Sequence, residues 1–181
     1  MKDVIPPGWL VQARRAPSPN CDERPAGVDI ELLVIHGISL PPAQFGGPYI
    51  EDFFLNRLDL DGHAYFEGLR DVRVSAHALI RRDGGVVQFV PFEKRAWHAG
   101  VSSFRGRARC NDFSIGIELE GTDDIPYEDA QYRRLAQIAR QLILAYPGID
   151  EARIAGHSNI APGRKTDPGP AFDWQHFFDL L

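Results

Sequence analysis

Cysteine is scarce. Cys21 and Cys110 are the only two, far apart and in no metal-binding spacing. That excludes a disulfide scaffold and points to a reducing compartment. No stretch approaches the ~18 consecutive apolar residues of a membrane span. The N-terminal Met1-Lys2-Asp3-Val4-Ile5-Pro6-Pro7 lacks the apolar core of a signal peptide, so a cytoplasmic protein is expected. Positive charge is not in excess either. The formal charge is −5 at pH 7, which argues against bulk attraction to nucleic acid or to an anionic membrane and leaves room only for a local basic patch. Internal repeats and low-complexity tracts are absent.

What is present has the balance of an ordinary globule: 44 % apolar and 25 % charged over 181 residues. At ~100–200 residues per domain, one domain spanning residues 1–181 is expected. A chain of this length buries roughly 70 % of its unfolded surface and needs no disulfide or structural metal to fold. Prolines and glycines cluster at 6–8, 17–27, 41–48 and 161–170, and these read as loops.

The run Ile-Glu-Leu-Leu-Val-Ile-His at 30–36 predicts a buried strand with His36 at its end. Residues 74–82 and 86–90 flank Asp83-Gly84-Gly85, a hairpin signal. Residues 113–119 predict a further strand. A period of two puts Phe113, Ile115, Ile117 and Leu119 on one face, and Ser114, Gly116, Glu118 and Glu120 on the other. An apolar stripe from Tyr132 to Tyr146 predicts a helix over 128–146, stopped by Pro147-Gly148. Shorter helices are predicted at 48–57 and from Asp173, a candidate N-cap, onward. Residues 152–157 predict a short strand that delivers His157 to a loop. Hairpin and crossover signals together imply an α+β fold, one mixed β-sheet covered by helices.

Three residues form a candidate metal set. His36 ends a strand, His157 precedes the loop Ser158–Gly163, and Asp167 follows ten residues on. Two neutral imidazoles and a carboxylate are a common catalytic zinc set, with a fourth position left for water whose pKa falls to ~7. The spacing lacks the helical register of zincins. By itself it fits better with histidines satisfied at strand ends and an aspartate capping a loop. The same ligand types also serve non-haem iron oxygenases.

Longer motifs change that balance. They are Leu-Leu-Val-Ile-His-Gly-Ile-Ser-Leu-Pro-Pro (32–42), Phe-Gly-Gly-Pro (45–48), Arg-Val-Ser-Ala-His (73–77), Ile-Arg-Arg-Asp-Gly (80–84) and Lys-Arg-Ala-Trp-His-Ala-Gly (94–100). They continue with Cys-Asn-Asp-Phe-Ser-Ile-Gly-Ile-Glu-Leu-Glu-Gly (110–121), then His157 and Ile-Ala-Pro-Gly-Arg-Lys-Thr-Asp-Pro-Gly-Pro (160–170). In this order and with no large insertion, they resemble the cytoplasmic, AmpD-type branch of the N-acetylmuramoyl-L-alanine amidases. The resemblance implies that fold, a Zn2+ cofactor, and metal ligands at His36, His157 and Asp167. It implies a general-base role for Glu118, with Glu120 the rival on the same strand face. It also implies an oxyanion-stabilising role for Lys165.

Substrate contacts are expected from Arg73 and Arg109, since guanidinium groups bind the carboxylates of stem peptides in a bidentate fork. A surface salt bridge is the alternative for either. Trp97 either stacks on a sugar face or fills the core. His77 and His98 lie in matching segments; for His77 a packing role is expected, and His98 is given none. Extracellular relatives commonly carry a tyrosine before the position of His77, where this chain has Ala76, and tend to use cysteine as third ligand. Both departures favour the cytoplasmic branch. Gly37 follows the first ligand where relatives often have a polar residue. The expected partner is a small anhydro-muropeptide in cell-wall recycling, with no nucleic acid, no membrane and a monomeric state. The alternatives are an exported or phage-type amidase acting on polymeric murein, and a non-catalytic peptidoglycan-binding module.

Overall fold

The computed structural model describes residues 4–5 and 8–181, with side chains described from residue 8 onward. Apart from the backbone of Val4–Ile5, the stretch read above for a signal peptide lies outside the described residues. Six strands form one mixed sheet: β1 (Arg14–Arg15), β2 (Leu32–Ile38), β3 (Ala78–Ile80), β4 (Val86–Gln88), β5 (Ser114–Glu120) and β6 (Ile154–Gly156). Their spatial order is β6-β2-β5-β3-β4-β1. The strands β6, β2, β5 and β3 run parallel, and only the β3–β4 hairpin is antiparallel. Four α-helices accompany the sheet: α1 (Tyr49–Phe54), α2 (Asp129–Ala145), α3 (His157–Ile160) and α4 (Trp174–Leu180). This is the expected α+β arrangement. Among the described residues no helix is long and apolar enough to cross a membrane.

Alternation along β2 and β5 gives the sheet two distinct faces. Leu33, Ile35, Ile115, Ile117 and Leu119 pack against Leu135, Ile138, Ala139 and Leu142 of α2, with Phe172 and Phe177 beneath. Leu135 and Leu142 are wholly buried, each contributing about 1.5–3 kcal/mol of transfer free energy. The helix begins where predicted: the Glu128 N–H donates to Gln131 Oε1 at 3.0 Å. Asp173 caps α4, its carboxylate accepting from His176 N–H at 2.9 Å.

The opposite face is shared. Over β3 and β4 it is covered by an apolar cluster in which Leu79 and Val87 meet Ile50, Phe53 and Phe54 of α1. Toward the C-terminal ends of β2 and β5 it turns polar. Open α/β sheets place their ligands beyond the carboxyl ends of parallel strands, and this is that end.

Among the boundaries that differ from expectation, three have a clear local cause or bear on the site. The strand predicted at 74–82 is regular only over Ala78–Ile80, because the His77 carbonyl accepts from both Phe89 (2.8 Å) and Val90 (3.3 Å) and breaks the ladder there. Phe113 does not share a face with Ile115. It ends a 3-10 turn at ψ 11°, so alternation starts at Ser114, and its ring joins Leu32, Val34 and Ile160 on the opposite face. His157 opens α3 rather than a loop.

Candidate active site

Three adjacent parallel strands deliver the polar end of the sheet. β2 carries His36, β5 carries Glu118 as its register partner, and β6 ends at Gly156, one residue before His157. The 161–170 loop returns Asp167 to the same point. That loop is held by Ser158 N–H on the Asp167 carbonyl (2.9 Å) and by the Tyr127 hydroxyl on the Pro168 carbonyl (3.0 Å). Gly37 serves this anchor, since a Cβ there would come within 2.2 Å of the Tyr127 hydroxyl.

His36 Nδ1, His157 Nδ1 and Asp167 Oδ2 form a nearly equilateral triangle. Its edges are 3.0 Å between the nitrogens and 3.1 Å from each nitrogen to the oxygen. A tetrahedral ion bonded at ~2.0–2.1 Å sets its donors about 3.3 Å apart, close to this spacing. The chemistry of the donors agrees with the spacing. His157 Nε2–H donates to the Ala99 carbonyl (3.2 Å), which leaves its Nδ1 as a lone pair. Burial lowers His36 to about 4, so at neutral pH its imidazole is uncharged, the form that ligates. Three acceptors facing one point repel unless a cation or a shared proton lies between them. The set therefore fits a divalent metal.

Glu118 lies beside this triangle, 8 % exposed, and its Oε2 is buried with no hydrogen-bond partner among the described residues. Burial, and then the nearby Asp167 charge, push its carboxyl well above the ordinary glutamate range against the opposing pull of Lys165. A carboxyl raised above the ordinary range holds a proton more readily, which suits a group that must take one up and give it back. Glu120, the rival, is spent elsewhere. It accepts from Gly46 N–H (2.7 Å), from Arg81 Nη1 (2.9 Å) and from Arg82 N–H (3.3 Å), tying the 43–48 loop to the sheet.

The triangle, Glu118 and the exposed Lys165 line one cleft of about 320 Å³. Its other wall is apolar, with Leu40, Phe53, Leu69, Val72 and the half-exposed Tyr65. Arg164, next to Lys165, turns away and donates to the carbonyls of Ala99 (2.6 Å) and Val101 (2.8 Å).

The structure does not bring the other predicted residues into this lining. Arg73 is exposed between the cleft-lining Val72 and Val74, and its guanidinium rests on the carbonyls of Arg70 and Val72. Arg109 is exposed and paired with Asp112 at 3.1 Å. Trp97 is half-buried, its backbone N–H bonded to Ser75 Oγ at 3.2 Å. His77 is fully buried with both ring nitrogens held by backbone, Nδ1 by Gly116 N–H and Nε2 by the Lys94 carbonyl, each at 3.0 Å. That is a packing role. Sequence reasoning missed Tyr65, which comes from a 3-10 turn with no periodicity to mark it. It left His98, also on the cleft, without a role.

The family model described as N-acetylmuramoyl-L-alanine amidase matches residues 26–170. The chain is 62 % identical over 174 residues to the 1,6-anhydro-N-acetylmuramyl-L-alanine amidase AmpD of Salmonella typhimurium strain SL1344, covering 96 % of this chain and 92 % of that protein. It superposes on a crystal structure of a selenomethionine derivative of AmpD with a TM-score of 0.94 at 60 % identity, covering 96 % of this chain and 97 % of that one. It is also similar to the Escherichia coli amidase AmiD in complex with the substrate anhydro-N-acetylmuramic acid-L-Ala-D-gamma-Glu-L-Lys. That match has a TM-score of 0.61 at 32 % identity and covers 88 % of this chain and 60 % of that one. By the family model that matches most of its length, by fold and by near full-length identity, the chain belongs to the N-acetylmuramoyl-L-alanine amidase family.

Proposed function

We propose that this chain is a zinc amidase that hydrolyses the bond between 1,6-anhydro-N-acetylmuramic acid and the L-alanine of a muropeptide, in cell-wall recycling. The observation that carries the reading is the convergence of His36 Nδ1, His157 Nδ1 and Asp167 Oδ2 on one point, with the unpartnered Glu118 carboxyl beside it. The near full-length AmpD relative supports the anhydro substrate.

His36, His157 and Asp167 would hold the ion. Zinc, when bound, supplies a Lewis acid for the scissile carbonyl and brings the pKa of water to ~7. Glu118 takes the proton of the attacking water and returns it to the L-alanine nitrogen as the C–N bond breaks. Its raised carboxyl suits the second task as well as the first. Lys165, exposed on the same cleft with no ion pair among the described residues, meets the developing oxyanion. The apolar wall of Leu40, Phe53 and Val72 receives the less polar parts of the substrate. Arg73 and Arg109 are the exposed guanidinium groups proposed to meet carboxylates of the stem. Trp97, next to His98 of the cleft, is the aromatic surface proposed for the sugar. The proposed setting is a cytoplasmic monomer. A module that merely bound peptidoglycan would gain nothing from a buried carboxyl left unpartnered.

The test is mass spectrometry of products from a defined anhydro-muropeptide. Cleavage to the free anhydro-sugar and a stem with a new amino terminus is expected, abolished by chelator and restored by zinc. Preference for intact sacculi over the anhydro-muropeptide would overturn the recycling assignment.

A further inference from the structure

His98 is a buried, cleft-lining histidine that the mechanism above does not use. Its ring reaches the sheet because residue 116 is glycine: a Cβ there would lie 2.4 Å from the ring's Cγ and Nδ1. Its backbone is pinned by Asn111 Oδ1, which accepts from the N–H of His98 (3.1 Å) and of Ala99 (2.8 Å). In that seat His98 Nδ1 is 2.9 Å from His36 Nε2, and His98 Nε2 is 3.1 Å from Ser114 Oγ.

Two proton registers satisfy this chain of contacts. In the first, Ser114 Oγ–H donates to His98 Nε2 and His98 Nδ1–H donates to His36 Nε2. His36 then carries its proton on Nδ1, facing His157 and Asp167. In the second, His36 Nε2–H donates to His98 Nδ1, His98 Nε2–H donates to Ser114 Oγ, and His36 Nδ1 is a bare lone pair. Only the second offers a ligand atom to a cation.

We infer that His98, backed by Ser114, is a positioning residue that holds His36 as its Nε2–H tautomer and so fixes the ring angle and lone pair with which His36 meets the metal. The inference rests on the proposed ligand role of His36. The contrast with His157 supports it. His157 Nε2 lies 3.2 Å from the Ala99 carbonyl, which can only accept, while Arg164 Nη2 stands farther off at 3.5 Å and donates to that same carbonyl at 2.6 Å, so the backbone decides that tautomer. His36 faces a group that can donate or accept. Its tautomer therefore depends on the far end of the chain, where the Ser114 hydroxyl can take the His98 Nε2–H and leave His98 Nδ1 to accept from His36. Partners of this kind orient a ligating imidazole and raise its basicity, and their loss typically costs metal affinity roughly 10–100-fold.

The experiment measures zinc affinity of the full chain by chelator competition for wild type, H36A, H98L, H98N and S114A, with thermal unfolding of each zinc-free protein as the folding control. H98L is expected to lose roughly 10–100-fold. In H98N the amide Oδ1 stands where Nδ1 stood and accepts the same proton, so most of the affinity returns. S114A falls between the two. If H36A abolishes binding while H98L and H98N both match wild type, the inference is overturned and the ligand reading stands. If wild type binds no zinc, or H36A binds as wild type does, the ligand reading itself fails and takes the inference with it. Should H98L not fold, 15N spectra of the His36 ring in zinc-free wild type decide: a proton on Nε2 supports the inference, and one on Nδ1 overturns it.

Discussion

Glu118 and His36 are register partners on adjacent parallel strands, side by side on one face of the sheet and lining one cleft. The pairing is a property of the backbone ladder rather than of a loop. The separation between the proposed base and the proposed ligand is therefore set by the most rigid part of the molecule. Sites built on strands hold their geometry better than sites built on loops.

Replacing Glu118 by Gln should remove the base and leave the ligand triangle untouched, because Glu118 is not one of the three converging donors. Hydrolysis of anhydro-muropeptide should fall by roughly 10²–10⁴-fold. Zinc content by elemental analysis should stay at the wild-type level. Turnover at the wild-type rate would remove Glu118 from the mechanism.

The same substitution should stabilise the zinc-free protein. Glu118 is raised above its unfolded value by burial and by Asp167, so ionising it costs folding free energy at every pH above the unfolded carboxyl range. Below that range the carboxyl is protonated in both states and the cost disappears. Gln resembles the protonated form. E118Q should therefore unfold at higher temperature than wild type at pH 7–8, and the gap should close as pH falls through and below ~4.3. A gap that widened toward acid would refute this account.

Glu120 should show the opposite division of effects. Its side chain is 2 % exposed and pairs with Arg81. E120A leaves part of that guanidinium and the Gly46 N–H without their acceptor, a loss of about 3 kcal/mol by analogy with other broken buried pairs. Urea unfolding should show the loss. The folded fraction should still bind zinc as wild type does, since no atom of Glu120 belongs to the triangle.

Lys165 is exposed, so K165A should barely change stability. Loss of one oxyanion donor should lower kcat by roughly 10²–10³-fold with a smaller change in KM. Steady-state kinetics on the anhydro-muropeptide would separate the two constants. A change confined to KM would assign Lys165 to substrate binding alone.

Some of this was legible in the chain. The apolar run within 30–36 pointed to a buried strand because a strand packed on both faces loses the alternation of a half-exposed one. The stripe at 132–146 specified α2 through its 3.6-residue period. The motifs around His36, Glu118, His157, Lys165 and Asp167 pointed to one chemistry, and the structure gathers those five residues on one cleft.

Other features had no local signature. A period of two puts Glu118 and Glu120 on the same face and cannot rank them. The donors that occupy Glu120 come from Gly46 and from the β3–β4 hairpin, distant in sequence. Arg73 and Trp97 sit in matching motifs and Arg109 directly precedes one, yet none lines the cleft, because motif membership does not state where a side chain turns. Tyr65 reaches the cleft from a 3-10 turn whose residues follow no pattern. The ladder of polar contacts from the His36–His157–Asp167 triangle through His98 to Ser114 joins segments that meet only in the folded chain. The sequence by itself determined which segments bury and which residue types are available for chemistry, because burial and periodicity act over a few neighbours. Tertiary structure alone decided which carboxylate stays unpartnered and which imidazole nitrogen is bare, because those depend on donors brought from tens of residues away.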